Sequence, residues 1–277
     1  MSKRLAPAPV ASGQPEAPAP AAPGLADLQV WLLPWVATLA LLLVVATAAN
    51  VPLLLAMRDL LLPAGATFWS ASTLLGDALV APLLVVPFQR RRPSLVWESV
   101  LAALFATAFT HGLKPLFHQA RPPAVLHDLV VIGPRLLAGS FPSGHTTTAF
   151  TVLGVLVLAG LVRRPLPRAL ALALACLVGC SRVVVGAHWP GDVLAGAAGG
   201  WLCAALGLAV AARWPLAPQG WFARSLPALL VLIALFDLFG HDTGYPAGMV
   251  LQHLVALLAL CWFAGNAWHK LKQGQFK

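Results

Sequence analysis

Apolar runs of membrane-spanning length recur along this chain between Leu28 and Asn266, and its charged residues gather in the breaks between them. A helix crosses the hydrocarbon core of a bilayer with about 20 consecutive apolar residues. In that solvent backbone groups must be satisfied internally, which a helix of this length does within its own segment. Composition points the same way. Hydrophobic residues make up 59% of the 277 positions and charged residues 10%, where soluble domains carry roughly 25% charged. We therefore expect an all-α polytopic membrane protein.

Eight spans are expected from the apolar runs. The first runs from Leu28 to Met57, and the second follows an interfacial stretch, Arg58 to Ser70, and stops at Phe88 before Arg90-Arg91-Arg92-Pro93. The third is Leu95 to Leu113, the fourth starts at Pro142 and ends at Arg163-Arg164, and the fifth runs from Arg168 to Gly186. Gly191 to Ala212 is the sixth, and Ser225 to Gly240 and Ala247 to Asn266 add two more. This divides the chain into a disordered Ala/Pro-rich cytoplasmic tail over residues 1–28, a six-span core over 29–213, and an added two-span segment with a basic tail over 214–277.

Placing both termini in the cytoplasm puts thirteen of the eighteen lysines and arginines on that side, as the positive-inside rule requires. Most of the net charge of +9 is then a topological signal. With no soluble basic domain carrying interleaved aromatics, nucleic acid is excluded as a partner. Cys176, Cys180, Cys203 and Cys261 all fall in apolar segments without metal-ligand or disulfide-framework spacing, and read as packing residues. No cofactor is called for.

Three short stretches carry the polar chemistry, and this orientation puts all of them at the outer face. Lys114, six residues, then Arg121-Pro122 close the third span. Pro142-Ser143-Gly144-His145 opens the fourth. Ser181-Arg182, five residues, His188, three residues and Asp192 join the fifth to the sixth. Lys114, Arg121 and Arg182 supply three cations for the equatorial oxygens of a transferring phosphoryl group, the arginines as planar forks and the lysine as a point charge. Ser143 and Gly144 stand where a helix N-terminus would offer free amides to an anion, with Ser143 also placed to cap it.

Taken together and in this order, the stretches resemble the three-part signature of the type 2 phosphatidic acid phosphatase family, over about residues 94–213. The resemblance implies a six-helix core, a nucleophilic His188 that forms a phosphohistidine, and Asp192 holding the opposite ring nitrogen. It also implies that His145 protonates the leaving group and later activates water. The expected activity is metal-independent hydrolysis of a lipid phosphate or isoprenyl diphosphate at the periplasmic face of the bacterial inner membrane. Phosphatidic acid, phosphatidylglycerol phosphate, an isoprenyl diphosphate and a lipid A phosphate all fit, and oligomeric state stays open. A phosphotransferase would carry the same signature, whereas a non-catalytic transporter or lipid-binding protein would show decayed catalytic positions.

Other polar residues in apolar runs are assigned by position. Asp77 is expected to brace one of the signature cations or to bond a neighbouring helix. Glu98 is expected to reach the cytoplasmic interface. Asp237, His241 and Asp242 fall on the outer side near the added helices, within reach of a head group. His111, His118 and His127 match no signature position and read as loop or helix-end residues.

Overall fold

The structure, a computed structural model, describes residues 28–215 and 221–273. The expected tail therefore lies outside the described residues except for Leu28, as do residues 216–220 and 274–277. In chain order the helices are α1 (Leu28–Ala46), α2 (Asn50–Leu61), α3 (Ala66–Leu74), the four-residue α4 (Val80–Leu83) and α5 (Leu95–Phe117). After the four-residue α6 (Pro122–Val125) come α7 (Gly144–Leu158), α8 (Pro165–Val184), α9 (Pro190–Arg213), α10 (Trp221–Phe239) and α11 (Met249–Lys272). There is no strand among the described residues.

Four helical segments among these residues are long and apolar enough to cross a membrane: Leu95–Val125, Pro165–Val184, Pro190–Arg213 and Pro246–His269. Gly144–Leu158 and Ser225–Phe239 are shorter apolar helices. The outward faces are apolar as well, with Leu43, Val250 and Leu258 all more than half exposed. Such surface is stable against lipid and not against water. The protein is a multi-pass, all-α membrane protein.

Helix α9 is the axis of the bundle, packed against α1, α5 and α7. Its glycines permit this, because small residues let helix backbones approach. A Cβ on Gly200 would come within 3.0 Å of Phe150 Cβ, and one on Gly207 would stand 2.5 Å from the backbone nitrogen of Ala102 on α5. Gly207→Val is therefore expected to destabilise the protein by about 1–3 kcal/mol, seen as a lower thermal midpoint in detergent. An unchanged midpoint would mean that α5 and α9 are not in such close contact. The principal core cluster joins Val30 of α1, Phe150 and Leu153 of α7, Val178 of α8 and Trp201 and Leu208 of α9. A second cluster seats the α10–α11 pair on Val80, Val86 and Val96.

Two expected spans take another form. The first is bent by 109° between its halves, because Ala48 turns into the left-handed region at φ 51° and α2 leaves in a new direction. Its polar residues act as anchors for loops. Arg58 is buried, its Nη1 donating to Val184 O at 2.5 Å and its Nη2 to Val130 O at 2.5 Å, while Asn50 Oδ1 accepts the amide of Gly191 at 2.9 Å. The second expected span is broken into α3, α4 and a 3-10 turn over Val86–Phe88. Pro82 and Pro87 remove donors there, and the Asp77 carboxylate captures the amides of Leu79 at 2.8 Å and Val80 at 3.3 Å. Glu98, in the first turn of α5, is not a free surface carboxylate. It is buried in an ion pair with Arg92 at 2.8 Å and accepts from Ser94 Oγ.

Candidate active site

One end of the bundle gathers every part of the three-stretch pattern. Helix α8 carries Arg182 in its last turn, a short loop carries His188, and α9 starts at Pro190, whose missing N–H costs nothing at a first helical position. That start places Asp192 one turn past His188. The loop is braced on three sides: Trp189 Nε1 donates to Ala120 O at 2.8 Å, Asn50 holds Gly191, and Arg58 holds the end of α8.

Asp192 is 1% exposed, and its Oδ2 gathers three donors. They are Ser140 Oγ at 2.5 Å, the Trp189 amide at 2.9 Å and His188 Nδ1 at 3.3 Å. On the other side of the ring, Arg121 Nη1 stands 3.3 Å from His188 Nε2. A guanidinium can only donate, so Nε2 is the acceptor and the proton sits on Nδ1, toward the carboxylate. His188 is buried, and burial together with Arg121, Arg182 and Lys114 pushes its pKa well below the usual imidazole range. The ring is thus held neutral with its basic nitrogen facing the cations.

Arg121 is fixed by the loop it closes. Its Nε donates to Ala138 O at 3.0 Å, its Nη2 to Gly139 O at 3.3 Å and its Nη1 to Ala187 O at 3.1 Å. Main-chain bonds from Arg121 N to Leu137 O and from Ser140 N to Gln119 O lock the two arms of that loop together. Arg182 Nη1 donates to Thr73 Oγ1 at 2.5 Å and to Tyr245 Oη at 2.8 Å. Its Nε is buried without a partner, which suits a donor reserved for an anion. Lys114, half-buried in the last turn of α5, completes the group.

Helix α7 begins at Gly144, with Ser143 in the N-cap position. The Ser143 hydroxyl makes no capping bond and pairs with Thr146 Oγ1 at 2.9 Å; the amide of Ser143 donates to Asp192 O at 3.0 Å. The expected side-chain cap is thus replaced by a hydroxyl pair, and the first-turn amides of α7 are left without intrahelical partners. A Cβ at Gly144 would meet nothing within 4 Å, so the backbone faces open space. His145, in the same turn, has a ring with no hydrogen bond to any described residue.

Asp77 bonds none of the three cations. Its Oδ1 stands 3.1 Å from His241 Nε2 in the loop between α10 and α11. Of the other histidines, His118 ends α5 in the left-handed conformation and His111 contacts Thr107 O at 3.1 Å on its own helix. Ser140, Thr73, Arg58 and Tyr245 were not singled out from sequence. Tyr245 had a signal, being the one tyrosine of the chain, and Ser140 stands just ahead of Pro142-Ser143-Gly144-His145.

Next to the site, an apolar groove of about 750 Å³ runs between α1, α2, α7, α8 and α9. Met57, Val183, Pro190 and Val193 line the end near the loop, while Phe150 and Trp201 lie deeper.

Residues 95–215 match the family model of the PAP2 superfamily. The chain is 38% identical to the lipid A 1-phosphatase of Rhizobium etli over 135 residues, 43% of this chain and 56% of that protein. It is 36% identical to the lipid A 1-phosphatase of Rhizobium johnstonii over 127 residues, 43% of this chain and 50% of the relative. The matched region thus spans about half the length of these curated relatives. The crystal structure of Aquifex aeolicus LpxE superposes with a TM-score of 0.53 at 29% identity, over 58% of this chain and 95% of that one.

Proposed function

We propose that the chain is an integral membrane phosphatase that hydrolyses a lipid phosphate, or an isoprenyl diphosphate, at the periplasmic face of the bacterial inner membrane. The observation that carries this reading is the orientation of His188: Nδ1 on Asp192 Oδ2 and Nε2 toward Arg121, both at 3.3 Å. That arrangement suits a neutral nucleophile beside an anion site.

A phosphate entering among Lys114, Arg121 and Arg182 takes their charge on its oxygens, and Arg121 turns from His188 to the anion. Nε2 attacks phosphorus, the N–P bond forms as the P–O bond to the lipid breaks, and His145 delivers a proton to the departing oxygen. Asp192 offsets the positive charge of the phosphorylated ring. His145 then takes a proton from water, which attacks phosphorus, breaks the N–P bond and releases inorganic phosphate. The three side-chain cations supply the charge stabilisation that metal ions supply in many phosphoryl transferases. The apolar groove supports a lipid substrate, since it could hold an acyl chain while the head group reaches the cations. The names of the relatives make the 1-phosphate of lipid A the first candidate.

The test is phosphate release in detergent from lipid A 1-phosphate, phosphatidic acid, phosphatidylglycerol phosphate and undecaprenyl diphosphate. Release from one of them that vanadate blocks, and that chelators leave unchanged well below the thermal midpoint, is the expected result. Absence of release from all would remove the hydrolase reading, and phosphate transfer to an added lipid or sugar alcohol would replace it.

The protonation state of His188 gives a separate check. Because burial and three cations hold its pKa low, the imidazole should remain neutral as pH falls through about 6.5, where a free histidine is half protonated. The unfolded chain then binds more protons than the folded one, so this group's contribution to stability is present above that pH and declines below it. Histidine ring-carbon NMR, assigned with a His188 variant, reads this directly. Half protonation at or above that pH would contradict the assignment.

A further inference from the structure

Asp237, near the end of α10, is 1% exposed, and neither of its carboxylate oxygens has a hydrogen-bond partner. A buried carboxylate without donors is strongly disfavoured unless a cation compensates it. The groups around it are held in place. Gln252 Nε2, from α11, donates to Asp237 O at 2.8 Å and to His241 O at 2.9 Å, so one side chain ties the end of α10 to the loop that follows. Gln252 Oε1 is itself buried without a partner at the same junction.

Asp77, from the core, brings its Oδ1 to 3.1 Å from His241 Nε2, and ligand atoms of Asp77, Asp237 and His241 all lie within 4.8 Å of one another. We infer that these three side chains form a binding site for a divalent transition-metal cation, with zinc and manganese as the fitting ions. Two carboxylates offset the charge of a dication. The imidazole favours these metals over magnesium and calcium, which prefer an all-oxygen set. Ligands around tetrahedral zinc with bonds of about 2.1 Å stand about 3.4 Å apart. Asp77 and His241 are nearly at that spacing, and Asp237 reaches it by a small approach. His241 is partly exposed, at 19% of its side chain, which leaves an entry path and a position for water.

The site is structural in its consequences. Asp77 belongs to the core, whereas Asp237 and His241 belong to the added helix pair, so the ion crosslinks the two. The same loop carries Tyr245, whose hydroxyl meets Arg182 Nη1 at 2.8 Å. A bound cation therefore fixes the loop that holds Arg182, while none of its three ligands bonds a phosphate-site side chain.

The experiment uses untagged, EDTA-stripped protein in detergent, incubated with zinc chloride or manganese chloride, desalted and measured by elemental analysis and thermal unfolding. The wild type should retain about one ion per chain and gain thermal stability with metal concentration, as ligand linkage requires. Asp237→Asn and His241→Ala should each bind about tenfold or more weakly and lose the thermal shift. If Asp237→Asn fails to fold, His241→Ala, on a partly exposed loop, decides. Equal retention by wild type and a folded variant overturns the site, and so does a wild type that keeps no ion and shows no shift. Both readouts are independent of turnover, so their failure leaves the phosphatase reading intact.

Discussion

His188→Ala should lower kcat on a lipid phosphate by about 10⁴-fold or more, the scale seen when the nucleophile of a coupled catalytic set is removed. The argument rests on the placement of the ring. Nδ1 is engaged by Asp192, and Nε2 is an unprotonated nitrogen 3.3 Å from Arg121 Nη1. His188 is among the largest fully buried side chains, so alanine also leaves a cavity; His188→Gln, which keeps most of the volume and a polar group, separates catalysis from folding. Both variants should lose turnover, and His188→Gln should keep a thermal midpoint near that of the wild type. Rapid acid-free quenching with radiolabelled substrate should trap an acid-labile phosphoenzyme in the wild type and none in either variant. A phosphoenzyme in either variant would remove His188 as the nucleophile.

Asp192→Asn should lower kcat by about 10²–10⁴-fold with a smaller effect on KM, by analogy with loss of the carboxylate that orients a catalytic histidine. Oδ2 holds the Nδ1 proton of His188 while also accepting from Ser140 Oγ and the Trp189 amide. An amide oxygen retains those acceptor contacts but loses the charge that offsets the phosphorylated ring. The backbone should survive, because the Trp189 amide can still be capped. Ser140→Ala is the graded companion: it removes one donor, leaves the charge, and should cost far less than Asp192→Asn. A kcat for Asp192→Asn within about tenfold of wild type would show that the carboxylate acts on loop structure and not on the ring.

The pattern of apolar runs was enough to read the solvent of the protein, and residue type at set spacing was enough to pick out the polar residues that meet at one end of the bundle. Lys114, Arg121, His145, Arg182, His188 and Asp192 stand at one end of the bundle as the sequence pattern implies. Breaks within apolar stretches were less legible. Ala48 in the left-handed region and Asp77 taking two amides cost a span its continuity without changing its mean hydropathy. The expected cap by Ser143 failed for a similar reason: the local motif allows it, but the Thr146 hydroxyl is a competing partner that only packing presents.

What the sequence alone determined is the membrane setting and the helical class, together with the set of polar residues proposed here to handle phosphate, because these follow from local composition and short fixed spacings. Tertiary structure decided which partner each buried polar group found. Arg58 reaches across 126 residues to Val184, Arg182 across 63 to Tyr245, and Asp77 across 164 to His241. A buried charge must be compensated, but from a distance in sequence many partners are available. Only the packing of helices, set by close approaches such as Gly200 and Gly207 of α9, selects among them.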